Sequence, residues 1–412
     1  NAEQMLELRG LRGKSGTKVR LMLARLAAES AEFERCTARL AALRAVQMKQ
    51  QRAVSSALSS DTLRAAVVTH AEPKRVLATL QSGEQLEIGP EGLKAVGKAL
   101  TDQASPKQQI RRGAVIRVVQ GSDDQWAVRQ LPEVEGAFVS MDPRTGLIRA
   151  MVGGFDFERN KFNHVTQAWR QPGSSFKPFI YSAALEKGFT PATVVNDAPL
   201  FYNAGSTGSR AWEPKNYDGK FEGPMTLRRA LAKSKYMVSI RVLESVGTHY
   251  AQDWLTNFGF DAAKHLPYLP MALGAGSVTP LQMADGYAVF ANGGYRVNPT
   301  LVLKVTDGRG HLLAQYRPNV LDESMRGINA RNAFVMNSLL QEVARTGTAA
   351  RAQATLKRPD LYGKTGTTND SMDAWFAGYH PSLVAVVWIG YDQPRKLGDR
   401  ETGGGLALPV WI

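Results

Sequence analysis

The order of strand-like and helix-like segments in the last two thirds of the chain restricts the fold most. Gly136–Gly154 holds two apolar runs on either side of a turn, which predicts a β-hairpin. Ser174–Val289 is mostly helical in pattern, and strands return in Asp373–Tyr379 and in Leu383–Tyr391, an apolar run typical of a buried central strand. Both ends must meet in one sheet with helices packed on it, so the sequence predicts an α+β fold.

The helical part opens with the segment RQPGSSFKPFIYSAALEKG (Arg170–Gly188). The pair Pro172-Gly173 predicts a turn, and apolar residues then recur at helical spacing as far as the closing glycine. Ser174 is therefore expected at a helix N-terminus. Unpaired N–H groups and the positive end of the helix dipole favour negative charge at that position.

Lys177 follows Ser174 by three residues, which places the two Cβ atoms about 5–6 Å apart on one helix face. A serine needs a base to become a nucleophile, and a lysine becomes a base when burial or a neighbouring cation lowers its pKa. The alternative interpretation is a capping serine beside a solvated lysine. The pattern S-x-x-K is common by chance, so later motifs must decide between the two.

A second motif, Lys364-Thr365-Gly366-Thr367-Thr368, supplies that context, because S-x-x-K and K-T-G occur together in class A β-lactamases and penicillin-binding proteins. Over roughly residues 65–412 the chain resembles the transpeptidase domain of bifunctional, class A penicillin-binding proteins of Gram-negative bacteria. The resemblance is carried by RQPGSSFKPFIYSAALEKG, GKTGTTND, DAWFAGY and ANGGYRVNPT.

The resemblance implies a serine β-lactamase/penicillin-binding transpeptidase-like domain, with an antiparallel sheet covered by helices on both faces. It implies a peptidoglycan D,D-transpeptidase that cross-links stem peptides ending in D-Ala-D-Ala, is acylated by β-lactam antibiotics such as penicillin, and needs no cofactor. Ser174 is then the nucleophile and Lys177 the base that accepts its proton. The backbone N–H groups of Ser174 and Thr367 are the expected oxyanion hole.

The K-T-G strand is expected to hold the substrate. Lys364, with the hydroxyls of Thr365 and Thr367, is expected to bind the terminal carboxylate of the peptide. Gly366 removes a side chain where a ligand backbone comes close.

The third family motif, S-x-N, is altered in this chain. Ser234 stands in its first position and is expected to relay a proton to the leaving amine, but Tyr236 stands where asparagine is expected. An amide both donates and accepts hydrogen bonds, whereas a phenol offers one donor on a bulkier ring. Three interpretations remain, namely altered substrate fit, impaired catalysis, or a substitution in this particular copy. We favour reduced but real activity, and we expect Tyr236→Asn to raise acylation by β-lactams.

Two other classes of function remain open. The same residues could serve a D,D-carboxypeptidase or a serine β-lactamase, although no Glu-x-x-Leu-Asn run follows Ser234 to supply a deacylating glutamate. A scaffold or antibiotic sensor that is catalytically impaired at Tyr236 is the non-enzymatic alternative.

Three domains are expected. Residues 1–64 form a helical N-terminal segment, in which Leu21–Val46 has amphipathic periodicity. Residues 65–135 contain five short strand-like runs that predict a small β-barrel and resemble the OB-like insert of the family. Residues 136–412 are the transpeptidase domain. No E-D-x-x-F-type acidic motif occurs, so a glycosyltransferase domain is not assigned to this chain.

Composition limits partners and compartment. The net charge of +14 suits anionic lipids or cell-wall glycan, and no nucleic-acid motif accompanies it. One cysteine excludes an internal disulfide, and six scattered histidines indicate no metal site. No apolar run of membrane-spanning length occurs. With the resemblance, we expect a fragment lacking its N-terminal membrane anchor, on the periplasmic face of the bacterial inner membrane beside cell-wall synthesis partners.

Overall fold

The computed structural model describes residues 63–106, 108–204, 211–318 and 320–412. The chain divides into two compact units, with the boundary between Leu131 and Pro132. The helix predicted in Leu21–Val46 lies outside the described residues. The predicted domain limits 1–64, 65–135 and 136–412 stay predictions.

The first unit is built on a five-stranded antiparallel sheet in the order β3-β2-β1-β4-β5. All five strands predicted in this part of the chain are confirmed. A short helix, α1, contacts the outer strands β3 and β5 and leads into a 3-10 segment. The elements are β1 (Arg64–Glu72), β2 (Arg75–Leu80), β3 (Gln85–Ile88), α1 (Pro90–Leu93), the 3-10 segment (Lys94–Leu100), β4 (Val115–Gln120) and β5 (Trp126–Val128).

The second unit contains the sheet that the order of segments predicted. Its five antiparallel strands lie in the order β12-β13-β14-β6-β7, so the last strands of the chain pair with the first strands of the unit. Val386 on β14 pairs with Val139 on β6, for example. The strands are β6 (Glu135–Met141), β7 (Ile148–Val152), β12 (Tyr362–Thr367), β13 (Asp373–His380) and β14 (Leu383–Gly390).

Helices separate the two groups of strands, as predicted. They are α2 (Lys177–Glu186), α3 (Leu227–Lys233), α4 (Tyr236–Val246), α5 (Thr248–Leu255), α6 (Pro280–Ala291), α7 (Ala330–Arg345) and α8 (Ala350–Leu356), with α9 (Leu408–Trp411) closing the chain. Two small hairpins lie between them, β8 (Val194–Asp197) with β9 (Gly223–Thr226), and β10 (Lys304–Thr306) with β11 (Leu312–Gln315). The 3-10 segments are Gly173–Phe176, Thr256–Phe258, Ala262–Lys264, Leu269–Leu273, Glu323–Met325 and Asn369–Ser371, and Gly403–Ala407 is a π-turn.

Helices cover both faces of the large sheet. Successive side chains of a strand point to opposite faces, so Phe376 and Tyr379 of β13 lie on different sides. Phe376 contacts Trp411 of α9, whereas Tyr379 contacts Tyr287 of α6. The α+β class, with an antiparallel sheet between helices, is thereby confirmed. No helix in the described part of the chain is long and apolar enough to cross a bilayer.

Candidate active site

Ser174 lies in the 3-10 turn Gly173–Phe176, which runs directly into α2. The predicted helix is confirmed, but its first turn is 3-10 and the α-helix itself begins at Lys177. Pro178 occupies the first α-helical turn, where a missing N–H costs no hydrogen bond. Ser174 is only 6% exposed, yet it lines a cavity of about 310 Å³. The nucleophile candidate therefore sits at the wall of a cleft.

Two glycines bring the Ser174 turn against the edge strand β12. A Cβ atom built on Gly366 would lie 2.3 Å from the carbonyl oxygen of Pro172, and one on Gly173 would lie 2.6 Å from that of Thr367. Gly173 also has φ +54°, a conformation that side chains disfavour. The close approach at Gly366 thus joins two segments of the protein, which the sequence did not indicate. Contact of a ligand with Gly366 stays a prediction.

Ser234 lies in the tight turn between α3 and α4. It ends α3 in the left-handed conformation, with φ +59°, and its N–H donates to the carbonyl oxygen of Leu231 at 3.1 Å. Few residues other than glycine adopt this backbone, and such strain concentrates at functional sites. The turn directs the Ser234 hydroxyl toward the two predicted lysines.

The Ser234 hydroxyl joins the three sequence motifs. Lys177 Nζ donates to Ser234 Oγ at 3.2 Å and to its carbonyl oxygen at 2.7 Å. Lys364 Nζ donates to the same Oγ at 2.9 Å. Lys177 and Lys364 are 57 and 130 positions from Ser234 in sequence, and both meet at its hydroxyl oxygen.

Burial lowers the pKa of both lysines. Neither side chain is exposed to solvent, and desolvation penalises an ammonium group. The pKa of Lys364 falls to about 7, and that of Lys177 falls well below its usual value because the nearby Lys364 charge adds to burial. Asp197 opposes this effect on Lys177 only in part. A neutral Lys177 can accept a proton from Ser174.

Tyr236 begins α4 and lies against both the nucleophile and the base. Lys177 Nζ is 4.2 Å from the centre of the Tyr236 ring, a cation–π distance. Burial raises the pKa of the Tyr236 phenol, and its hydrogen bond with the Ser174 side chain opposes that rise. The altered position of the S-x-N motif is thus in direct contact with the predicted chemistry.

The first cavity is lined by Thr365 and Thr367 on the strand side. Thr365 Oγ1 lies 2.6 Å from Thr348 Oγ1, and Thr367 Oγ1 accepts from the N–H of Gly403 at 3.1 Å. Lys364 is buried behind Ser234. The hydroxyls can therefore meet a ligand directly, and the Lys364 ammonium group lies behind them.

Sequence reasoning missed a buried cluster around Lys235, the middle residue of the altered motif. Its ammonium group is 3.0 Å from Asp218, 3.1 Å from Glu222 and 3.4 Å from the fully buried Asp197. Burial lowers the pKa of Lys235, but these hydrogen bonds and charges outweigh it and raise the pKa overall. Two sequence features could have indicated this cluster, namely that Lys235 lies within a motif and that Asp197 ends an apolar strand.

A second missed contact is the ion pair of Arg170 with Asp373. Arg170 Nε donates to Asp373 Oδ1 at 2.8 Å, and Trp388 Nε1 donates to the same oxygen at 2.9 Å. The pair ties the chain before the Ser174 turn to the first residue of β13.

Comparison with known proteins agrees with this geometry. Residues 136–407 match the family model of the penicillin binding protein transpeptidase domain, and residues 37–134 match the penicillin-binding protein OB-like domain. Penicillin-binding protein 1A of Neisseria flavescens is 48% identical over 360 residues, which cover 87% of this chain and 45% of the relative. The chain thus spans about half the length of the curated relatives that it matches.

Solved structures give the same result. The crystal structure of penicillin-binding protein 1A from Haemophilus influenzae has a TM-score of 0.81 and 32% identity, and the match covers 88% of this chain and 58% of that one. PonA1 of Mycobacterium tuberculosis in complex with penicillin V matches with a TM-score of 0.56 and 28% identity, over 68% of this chain and 77% of that one. Since the transpeptidase model alone covers more than half of its residues, this chain belongs to the penicillin-binding protein transpeptidase family.

Proposed function

We propose that this chain is a serine-type peptidoglycan D,D-transpeptidase, an acyltransferase that acts on stem peptides ending in D-Ala-D-Ala and is acylated by β-lactams. The observation that carries the proposal is the Ser234 hydroxyl, which accepts hydrogen bonds from Lys177 and Lys364 at 3.2 and 2.9 Å beside Ser174. Family membership supports the acyl-transfer chemistry and the penicillin-binding property.

In the acylation step, Ser174 Oγ attacks the carbonyl carbon of the penultimate D-alanine while neutral Lys177 accepts the hydroxyl proton. The backbone N–H groups of Ser174 and Thr367 stabilise the oxyanion, a contribution of about 3 kcal/mol for each donor. The C–N bond then breaks, and the proton passes through the Ser234 hydroxyl to the departing D-alanine amine. An ester between Ser174 and the donor peptide remains.

In the second step the amine of a neighbouring stem peptide attacks that ester. The Lys177–Ser234 pair accepts a proton from this amine as the new amide bond forms a 4→3-type cross-link. The bond between the acyl carbon and Ser174 Oγ then breaks, and the pair returns the proton to Ser174 Oγ. The hydroxyls of Thr365 and Thr367, with the charge of Lys364 behind them, hold the carboxylate of the donor. These steps require the two stem peptides and no cofactor.

Labelling with a fluorescent penicillin tests the proposal. We expect one label per chain, attached to Ser174 in the labelled peptide, and no label on Ser174→Ala. Ser175→Ala is the matched control, since the Ser175 hydroxyl donates to the Pro172 carbonyl oxygen at 2.6 Å and is not expected to react. A label on Ser175, or none on the unaltered chain, would refute the assignment.

Two further measurements separate the related activities. A transpeptidase releases the label slowly, whereas a β-lactamase releases it fast. With a stem-peptide donor, addition of an acceptor amine should divert product from the hydrolysed peptide to the cross-linked one, and a D,D-carboxypeptidase would give only hydrolysis.

A further inference from the structure

Tyr236 stands between two cavities of the second unit. The first, of about 310 Å³, includes Ser174 and Thr365 in its lining, and the second, of about 250 Å³, includes Trp212. Tyr236 and Thr367 line both. The two cavities therefore approach each other at the predicted oxyanion hole, with the Tyr236 ring at the boundary.

The Tyr236 ring is fixed at this boundary by contacts on several sides. Its face lies 4.2 Å from Lys177 Nζ, and its side chain lies beside that of Ser174 in the lining of the first cavity. Its backbone N–H donates to Asn216 Oδ1 at 2.8 Å, which anchors the start of α4. Rotation of the ring out of the boundary would break the contacts with both the nucleophile and the base, so the ring acts as a wall.

The two cavities suit different ends of an acyl donor. Lys233 and Asp218 give the first cavity charged walls, beside the threonine hydroxyls. Trp212, Pro270 and Leu273 line the second cavity, together with the polar side chains of Gln171 and Asn369. A donor bound across the boundary would keep its carboxylate-bearing leaving group in the first cavity and its acyl chain in the second.

The carbonyl carbon that Ser174 attacks must come within bonding distance of an oxygen that Tyr236 itself touches. The next carbon of the acyl chain then passes the Tyr236 ring on its way to the second cavity. We propose that Tyr236 is a specificity-determining residue, whose ring limits the size of the substituent on the carbon next to the attacked carbonyl. The proposal deepens the proposed function and rests on it.

The expected size of the effect follows from packing. Forcing extra atoms into a filled space costs about 1–3 kcal/mol, which corresponds to about 5- to 150-fold in rate, with about 10- to 100-fold in the middle of that range. An asparagine at position 236 is smaller than tyrosine and would free most of the space that the phenol ring occupies. Phenylalanine would keep the ring and remove only the hydroxyl that contacts Ser174.

The test compares two β-lactams that differ only at the carbon next to the lactam carbonyl, with hydrogen or methoxy on the face that the serine attacks. Second-order acylation rate constants are measured by mass spectrometry of the whole chain. We expect the unaltered protein to prefer the hydrogen compound by about 10- to 100-fold. Tyr236→Asn should bring the preference to within about threefold, whereas Tyr236→Phe should keep it.

Tyr217→Asn is the matched control. Tyr217 is largely exposed and lines the first cavity but not the second, so it does not lie at the boundary between them. Its preference should equal that of the unaltered protein. Thermal unfolding checks each variant, and Tyr236→Ala replaces Tyr236→Asn if the latter does not fold. An unchanged preference in the asparagine and alanine variants, or its loss in Tyr236→Phe, overturns the size limit. Failure of both β-lactams to acylate the unaltered chain refutes the proposed function instead.

Discussion

Three lysines with little solvent exposure lie in two adjoining environments at the Ser234 turn, and their pKa values shift in opposite directions. On one side, which we call the strand side because Lys364 belongs to β12, Lys177 and Lys364 donate to the oxygens of hydroxyl and carbonyl groups. The pKa of each of these two lysines is lowered. On the other side, Lys235 contacts three carboxylates, and its pKa is raised. Low solvent exposure therefore does not by itself decide the charge of a lysine, because the charges of its neighbours also contribute.

The difference separates chemistry from structural support. A lysine whose charged form is destabilised becomes a base at neutral pH, whereas an ion-paired lysine stays charged and fixes the chain around it. Lys235 fixes the segment that includes Asp218 and Glu222, next to the residues that line the first cavity. The adjoining positions 234 and 235 thus serve the two environments separately.

The largest expected effect comes from removing Lys177, the proposed base. Lys177→Met should lower the rate of penicillin acylation by about 10²- to 10⁴-fold, the usual contribution of a general base. Lys187→Met, at the exposed end of the same helix, is the control and should react at the original rate. Rapid-quench labelling measures both. If Lys177→Met reacted at the original rate, Lys177 would not be the base. The lowered pKa of Lys177 would then not distinguish its role from that of Lys235.

The second prediction concerns the carboxylate side and is measured as stability. Lys235→Met leaves the fully buried Asp197 without its cation and should lower the free energy of unfolding by about 3 kcal/mol. Lys233→Met removes a half-exposed pair with the same Glu222 and should cost less than about 1 kcal/mol. Urea unfolding compares the two. Equal losses would mean that burial contributes nothing to this cluster.

The pH dependence of this contribution has a definite sign. The folded-state pKa of Lys235 is raised above 10.5, so its stabilisation is fully present below pH 10.5 and is lost as the pH rises through the folded-state value. The difference between Lys235→Met and the unaltered protein should therefore be constant from neutral pH up to that range.

Sequence reasoning identified the candidate residues of the strand side, Lys177 and Lys364, better than the cluster around Lys235. Ser174 and Lys177 are three residues apart at the start of a helix, and Lys364 belongs to a short strand motif, so two local motifs and the family resemblance together singled them out as candidates. The five strands of the first unit and the meeting of β14 with β6 followed from apolar runs and turn residues in the same way.

The partners of Lys235 could not be predicted in this way. Asp197, Asp218 and Glu222 reach it from the β8–β9 region, and the path of that segment depends on tertiary packing rather than on local periodicity. The role of Gly366 was missed for the same reason, since the carbonyl group it faces belongs to Pro172, almost 200 residues earlier. The motif revealed that Tyr236 replaces the expected asparagine. Only the fold shows that the Tyr236 ring packs against the ammonium group of Lys177.

The smallest expected effect tests whether the two strand-side lysines are coupled. Lys364→Gln should slow acylation by about 10- to 100-fold, the loss of a hydrogen bond from a charged donor. The charge of Lys364 lowers the pKa of Lys177, so its removal should raise that pKa. In the proposed mechanism acylation requires neutral Lys177, and the acid limb of the pH–rate profile should therefore move to higher pH.

Lys396→Gln, an exposed lysine paired with Asp399, is the control and should leave the profile unchanged. A β-lactam whose carboxylate is esterified distinguishes the two roles of Lys364. With that compound, the loss in rate that comes from carboxylate binding should be absent, while the shift of the acid limb should remain. A shift toward lower pH in Lys364→Gln would show that the charge acting on Lys177 comes from elsewhere, and the strand side would then need a different account of its base.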